Sequence, residues 1–303
     1  MKVFVCFTPL HILISKQILK HEKINDYIFI YLCINRNKKN TFYYNEFAKG
    51  AIYSNYIQIG LNQFLPIVKL IVLALSFRFK YKSNLTFYIG NIKKIHSRLF
   101  MLFSGFCNIL TFDDGVGNII LDGYFFDNEK VIVKYFFLIF NKKFVYREII
   151  KNIDLHYTIY NHRNVFENTR KISLHNNEKK VRGNVTKELV VLITSPFSLF
   201  NMMSKEKEII MYQKLVQQYK VDFIIKHPLE RKDNIYDKSK IIDSHFIAEE
   251  IILNLLDRYN VTVIGTYSSV LLNLHAIEGI KIINFRANIK KPSKSLDLLF
   301  ETI

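Results

Sequence analysis

The sequence predicts an α/β protein built as two doubly wound parallel-sheet domains facing a cleft. Three observations predict it. Short apolar runs alternate with longer helical stretches along the chain, and the runs are almost continuously apolar, as strands covered on both faces require. A polar segment at 176–188 separates two such series. The length, 303 residues, is long for one core and suits two domains of about 150 residues each.

Met1 to Phe7 reads as the first strand, and Thr8-Pro9 opens a helix through Ile12, Ile14, Ile18 and Leu19, with proline in the first turn where its missing N–H costs nothing. Tyr27 to Ile34, Leu85 to Ile89 and Asn108 to Phe112 read as further strands, with helices near Leu65 to Phe77 and His96 to Phe106. This series is the expected domain 1–175. The polar stretch from Asn168 to Glu188 holds Asn176-Asn177-Glu178-Lys179-Lys180 and Arg182-Gly183-Asn184, and supplies the expected linker 176–188. The second domain, 189–303, alternates again. Its strands are Leu189 to Thr194, Val221 to Ile225, Val261 to Gly265 and Lys281 to Phe285, and its helices are Lys205 to Tyr219, Ala248 to Tyr259 and Ser268 to Glu278.

Composition narrows the function. The 43 basic and 26 acidic residues leave a net charge of +17, which implies an anionic partner. Nucleic acid is not expected, because the lysines are scattered and no helix-turn-helix or RNA-recognition signature occurs. Cys6, Cys33 and Cys107 lie far apart, with no histidine at zinc-ligand spacing, so neither a disulfide framework nor a structural metal is expected. Met1 to Ile14 contains Pro9 and His11 and reads as a strand and turn, not a signal peptide. Phe64 to Phe77 and Val131 to Phe140 fall short of the roughly 20 apolar residues a span needs and are interrupted by Lys69 and Lys134. They suit core helices, or an anionic membrane surface where each nearby cation adds about 1 kcal/mol. An inactive membrane scaffold is the remaining non-enzymatic reading.

Three motifs follow strand-like runs, at the sheet end where ligands bind. Phe112-Asp113-Asp114-Gly115 offers paired carboxylates, one of which can act as a base, and Gly115 lets the backbone turn sharply beside them. An isolated Asp-Asp-Gly is also an ordinary turn. Lys226-His227-Pro228 offers an imidazole that can protonate a leaving group, with proline holding His227 extended and Lys226 adding positive charge. A histidine after a strand also serves structural ends. Ser268 and Ser269 precede an apolar helix, where hydroxyls and free N–H groups make an anion site or a plain N-cap. Thr8, His11 and Ser195 also follow strands, His156 in Asp154-Leu155-His156-Tyr157 reads equally as a core or turn group, and Glu249 and Glu250 open a helix.

In these residues the chain resembles glycosyltransferase family 52, the bacterial lipooligosaccharide and capsule sialyltransferases. The resemblance rests on Cys6-Phe7-Thr8-Pro9-Leu10, Thr111-Phe112-Asp113-Asp114-Gly115-Val116-Gly117-Asn118, Asp154-Leu155-His156-Tyr157-Thr158-Ile159, Ser195-Pro196, His227-Pro228 and Ser268-Ser269. It implies a GT-B-like pair of Rossmann-type domains, the first on the acceptor side and the second binding the CMP-sugar. It also implies CMP-Neu5Ac as donor, a galactose-terminated glycan or glycolipid as acceptor, and inverting, metal-independent transfer without a cofactor, in α2,3 linkage. His227 is then expected to serve the phosphate and Ser268 and Ser269 to bind it, with Thr8 and His11 near the acceptor and Ser195 lining the site. The implied place is cytoplasmic, on the inner face of the bacterial inner membrane, with a homodimer left open. A related enzyme using another sugar nucleotide, for instance in glucosyl transfer to a lipopolysaccharide core, is the alternative. One position departs from the family pattern: Phe197 stands after Ser195-Pro196 where lipooligosaccharide-type members carry an acidic base candidate. The base role therefore passes to Asp114 or its neighbour Asp113.

Overall fold

A computed structural model describes residues 1–60, 64–82, 85–105, 108–120, 122–174, 187–230, 236–287 and 294–301. The chain divides into two compact units, Met1–Leu174 and His175–Ile303. Most of the segment read as a linker, up to residue 186, lies outside the described residues. Its last residue is corrected: Glu188 already begins the first strand of the second unit.

The first unit runs β1 (Lys2–Cys6), α1 (Pro9–His21), β2 (Tyr27–Cys33), α2 (Lys38–Ala48), β3 (Tyr53–Gln58), α3 (Phe64–Tyr81), β4 (Thr86–Ile89), α4 (Ile95–Ser104), β5 (Asn108–Phe112), α5 (Val131–Phe140), α6 (Tyr146–Lys151), β6 (Leu155–Thr158) and β7 (Thr169–Lys171). All seven strands pair in parallel, in the order β3-β2-β1-β4-β5-β6-β7. The chain thus winds outward from β1 in one direction and from β4 in the other. Right-handed crossovers put α1 and α2 on one face of the sheet and α3, α4 and α5 on the opposite face. Packing agrees on that second face: the Phe77 and Phe100 rings meet at 5.6 Å, and the Arg98 guanidinium stacks 4.5 Å over the Phe137 ring.

Local chemistry sets the ends of these elements. Thr8 caps α1 by accepting the His11 N–H at 3.3 Å, with Pro9 in the first turn. Gly105, at φ +67°, closes α4 in the left-handed conformation that glycine tolerates. The core beneath β1, β2 and β4 includes Val3, Val5, Ile28, Ile30 and Ile89, all fully buried.

The second unit comprises β8 (Glu188–Ile193), α7 (Lys205–Gln218), β9 (Phe223–Ile225), α8 (Ala248–Leu255), β10 (Asn260–Gly265), α9 (Ser269–Leu274), β11 (Ile280–Asn284) and α10 (Lys294–Phe300). Its parallel sheet has the order β11-β10-β8-β9, so the winding reverses at β8 and β10. Leu192, Tyr212, Leu215 and Ile224 form its core, and Phe197 packs among them with 3% of its surface exposed. The closing helix is α10, held by Asn284, whose side-chain amide donates to the Phe300 carbonyl at 2.9 Å.

Candidate active site

The sequence-predicted residues fall into two groups, one in each unit, and each group sits where its own sheet reverses direction. That is where loops from neighbouring strands diverge and leave room for a ligand.

In the first unit, loops after β1, β4 and β5 converge on Asp114. The buried His11 ring receives the Phe7 backbone N–H on Nδ1 at 3.0 Å, which leaves its proton on Nε2. Nε2 lies 2.7 Å from Asp114 Oδ1, while the Asn91 side-chain amide donates to Oδ2. Asn91 also turns its carbonyl oxygen to the Lys94 N–H at 3.0 Å, fixing its amide orientation. Gly90 makes this possible: a Cβ there would lie 2.3 Å from His11 Nδ1. Gly115, at φ +59°, turns the chain after the carboxylates, and Asn118 accepts the Asp114 N–H at 3.2 Å.

Asp114 keeps 24% of its side chain exposed. Burial acts to raise its carboxyl, but the His11 imidazole and its hydrogen bond, the Lys94 charge and the Asn91 amide act against it, and the net direction is downward. Burial lowers Lys94 in turn, with Asp114 opposing. Lys94 also lies 4.2 Å over the Phe7 ring.

Asp113 has a different setting. It is fully buried, with Oδ1 2.9 Å from His156 Nε2 and Oδ2 accepting the Ile159 N–H at 2.7 Å. His156, also fully buried, bonds Thr111 at 2.8 Å and stacks on Phe166. Asp113 therefore ties the ends of β5 and β6 together and presents no oxygen to solvent, which corrects its pairing with Asp114 as an accessible base. Thr8 is spent as the α1 cap.

In the second unit, Thr194 at the end of β8 organises the His227 loop. Its hydroxyl accepts the His227 N–H at 3.2 Å and donates to Glu230. The Leu229 N–H donates to His227 Nδ1 at 3.2 Å, so Nε2 carries the proton of the neutral ring and has no partner among the described residues. Burial lowers the His227 imidazole and raises the Glu230 carboxyl. Pro228 is exposed beyond it, and Lys226 lies 5.9 Å over the Tyr236 ring.

Ser195 is pinned on three sides. Its N–H donates to the Tyr212 hydroxyl at 2.6 Å, that hydroxyl donates to the Ser195 carbonyl at 2.9 Å, and Ser195 Oγ donates to the Thr266 carbonyl at 3.1 Å. This joins the β8 and β10 loops. Tyr267 then takes φ +48°, unusual for a bulky residue, and its hydroxyl donates to Asp297 on α10 at 2.5 Å. Ser268 stands at the start of α9 without making a side-chain cap bond, and Ser269 follows in the first turn. Both are partly exposed. Glu249, by contrast, is buried against Asn273 at 2.7 Å and serves packing of α8 on α9.

Gly90, Asn91, Lys94, Thr194 and Glu230 were missed in the sequence. Gly90-Asn91 carried a signal, standing directly after an apolar run as Asp113-Asp114 do.

Comparison with known proteins sets this arrangement in context. The chain is 25% identical over 298 residues to an N-acetyllactosaminide α-2,3-sialyltransferase of Haemophilus influenzae, covering 96% of this chain and 94% of that one. It is 22% identical over 301 residues to a CMP-N-acetylneuraminate:β-galactoside α-2,3-sialyltransferase of Pasteurella multocida, covering 97% and 94%. Among solved structures, the UDP-N-acetylglucosamine 2-epimerase of Rickettsia bellii matches with a TM-score of 0.52 at 17% identity, covering 94% of this chain and 79% of that one. The corresponding epimerase of Methanocaldococcus jannaschii matches at 0.50 and 11%, covering 99% and 92%. These two likenesses show the fold alone, which is α/β and GT-B-like as expected. The model of glycosyltransferase family 52 matches residues 25–288, and the chain belongs to that family of enzymes.

Proposed function

We infer that this glycosyltransferase is an inverting, metal-independent sialyltransferase. It moves sialic acid from CMP-Neu5Ac to a galactose-containing acceptor of bacterial lipooligosaccharide or capsule, forming an α2,3 linkage. The observation that carries the reading is the nearly full-length likeness to two α-2,3-sialyltransferases, one of them named for CMP-N-acetylneuraminate and a β-galactoside.

The residues support a division of labour. The acceptor hydroxyl oxygen attacks the anomeric carbon, and its proton passes to the Asp114 carboxylate. A carboxyl held low by His11, Asn91 and Lys94 stays ionised at neutral pH. It takes the proton late, once bond formation has made the hydroxyl acidic. The bond from the anomeric carbon to the CMP phosphate oxygen breaks with its electron pair going to that oxygen, where His227 Nε2–H donates. An anion beside His227 favours the imidazolium and offsets the lowering by burial. Ser268 and Ser269 hold the phosphate with hydroxyls not committed to capping the helix. Metal independence is supported by Asp113, which is buried with both oxygens bonded inside the fold, so that Asp113 and Asp114 do not present a paired carboxylate site to a cation.

The place of action is the inner face of the bacterial inner membrane. Donor screening in EDTA tests the reading: CMP release from CMP-Neu5Ac, with no turnover of UDP-glucose or other UDP-sugars, is expected. Turnover of a UDP-sugar alone, or a requirement for a divalent cation, contradicts it.

A further inference from the structure

Among the described residues of the first unit, two helices on one face of the sheet carry exposed apolar side chains. Helix α5 has only Phe137 buried of its ten residues, with Ile132 and Ile139 exposed at 85% and 80% and Tyr135 at 61%. Helix α3 buries Leu70, Ala74 and Phe77 against the unit, yet turns Phe64, Val72 and Phe79 outward at 76%, 61% and 80%. Both helices flank α4 on the same side of the sheet, as the right-handed crossovers require. Exposed apolar area on this scale marks an interaction surface.

The charges choose the partner. Neither helix contains an acidic residue, and each carries exposed cations, Lys69, Arg78 and Lys80 on α3 and Lys134 on α5, with Lys142 and Lys143 just beyond. Two copies of the chain meeting through this face would bring these cations together, within molecules that each carry +17. An anionic lipid surface meets both demands: acyl chains take the apolar side chains and headgroups take the cations. Neither helix is long and apolar enough to cross a membrane.

We propose that α3 and α5 together form the docking face of this enzyme on an anionic bilayer, lying in the plane of the headgroups with Ile132, Tyr135, Ile139 and Phe79 inserted. This deepens the peripheral location proposed above and rests on it, while standing independent of the donor and of Asp114 and His227. Attachment through this face would bring the enzyme to an acceptor that is itself anchored in lipid.

The test is flotation of the full chain with vesicles of phosphatidylglycerol and phosphatidylethanolamine, alongside vesicles of phosphatidylcholine. The same samples are assayed for transfer to a soluble lactose acceptor. Binding to the anionic vesicles that weakens with salt is expected. It should fall about tenfold or more in Ile132→Ser/Ile139→Ser and in Lys134→Gln/Lys142→Gln/Lys143→Gln, with thermal midpoint and soluble transfer retained. Binding equal in the variants, or equal on neutral vesicles, overturns the proposal. So does a dimer in sedimentation that Ile132→Ser/Ile139→Ser dissociates, which would assign the face to a second copy. Flotation without sialyl transfer would leave this surface standing and remove the sialyltransferase reading instead.

Discussion

At the scale of single residues, the site in the first unit depends on the tautomer of one buried imidazole. The Phe7 N–H fixes His11 with its proton on Nε2, and that proton faces Asp114 at 2.7 Å. In His11→Asn the burial that raises Asp114 remains while the largest opposing influence is gone. The acid limb of the pH–rate profile should therefore move to higher pH, with a fall in kcat; an unmoved limb would separate Asp114 from the base role. The same lowered carboxyl contributes stability at neutral pH that is lost as pH falls through the range below an ordinary aspartate, so acid should lower the thermal midpoint of the wild type more than that of Asp114→Asn. Gly90→Ala would drive a methyl group into the His11 ring. It should cost about 1–3 kcal/mol in thermal or denaturant unfolding and most of the transfer activity. For His227, NMR titration should find the free imidazole below its ordinary value, and CMP should move it upward because a phosphate favours the charged ring.

At the scale of elements, two helix starts make opposite use of serine. Ser204 caps α7 by accepting the Lys207 N–H, whereas Ser268 makes no cap bond on α9. Ser204→Ala should cost about 1 kcal/mol of stability with the kinetics unchanged. Ser268→Ala should leave the thermal midpoint almost unmoved and raise KM for the donor, which calorimetry and initial rates will separate. The strands differ in how plainly they could be read. β1, β2, β5, β8 and β10 are apolar runs because both faces are covered, and they stood out. β3 buries only Ile57 among its six residues, and the three residues of β7 are all exposed, so neither shows the pattern of a covered strand. Asp114, His227 and Ser268 were legible because each follows an apolar run. The pairing of Asp114 with His11, 103 residues away, was not, since it depends on β1 and β5 standing on either side of β4. Asp113 and Asp114 are neighbours in sequence, but successive side chains leave a strand end on opposite sides, which sent one to His156 in the core and the other to the surface.

At the scale of the whole molecule, two units with separate cores each place a reactive group at the reversal of their own parallel sheet. The proposed displacement at a sugar phosphate calls for a carboxylate, which the first unit offers in Asp114, and a proton donor, which the second offers in His227. The charge of +17 suits both an anionic sugar nucleotide and an anionic bilayer, and so discriminates neither. Phe197 removes the carboxylate that family resemblance implies after Ser195-Pro196 and fills the core of the second unit instead. The central claim is thus that Asp114 takes the acceptor proton while His227 serves the departing phosphate. The most direct measurement is transfer from CMP-Neu5Ac to lactose in the presence of EDTA, by the wild type, Asp114→Asn and His227→Ala. Sialyl-lactose from the wild type, with kcat lower by about a hundredfold or more in each variant, is the expected result. Full activity in Asp114→Asn, or no CMP release by the wild type, would contradict it.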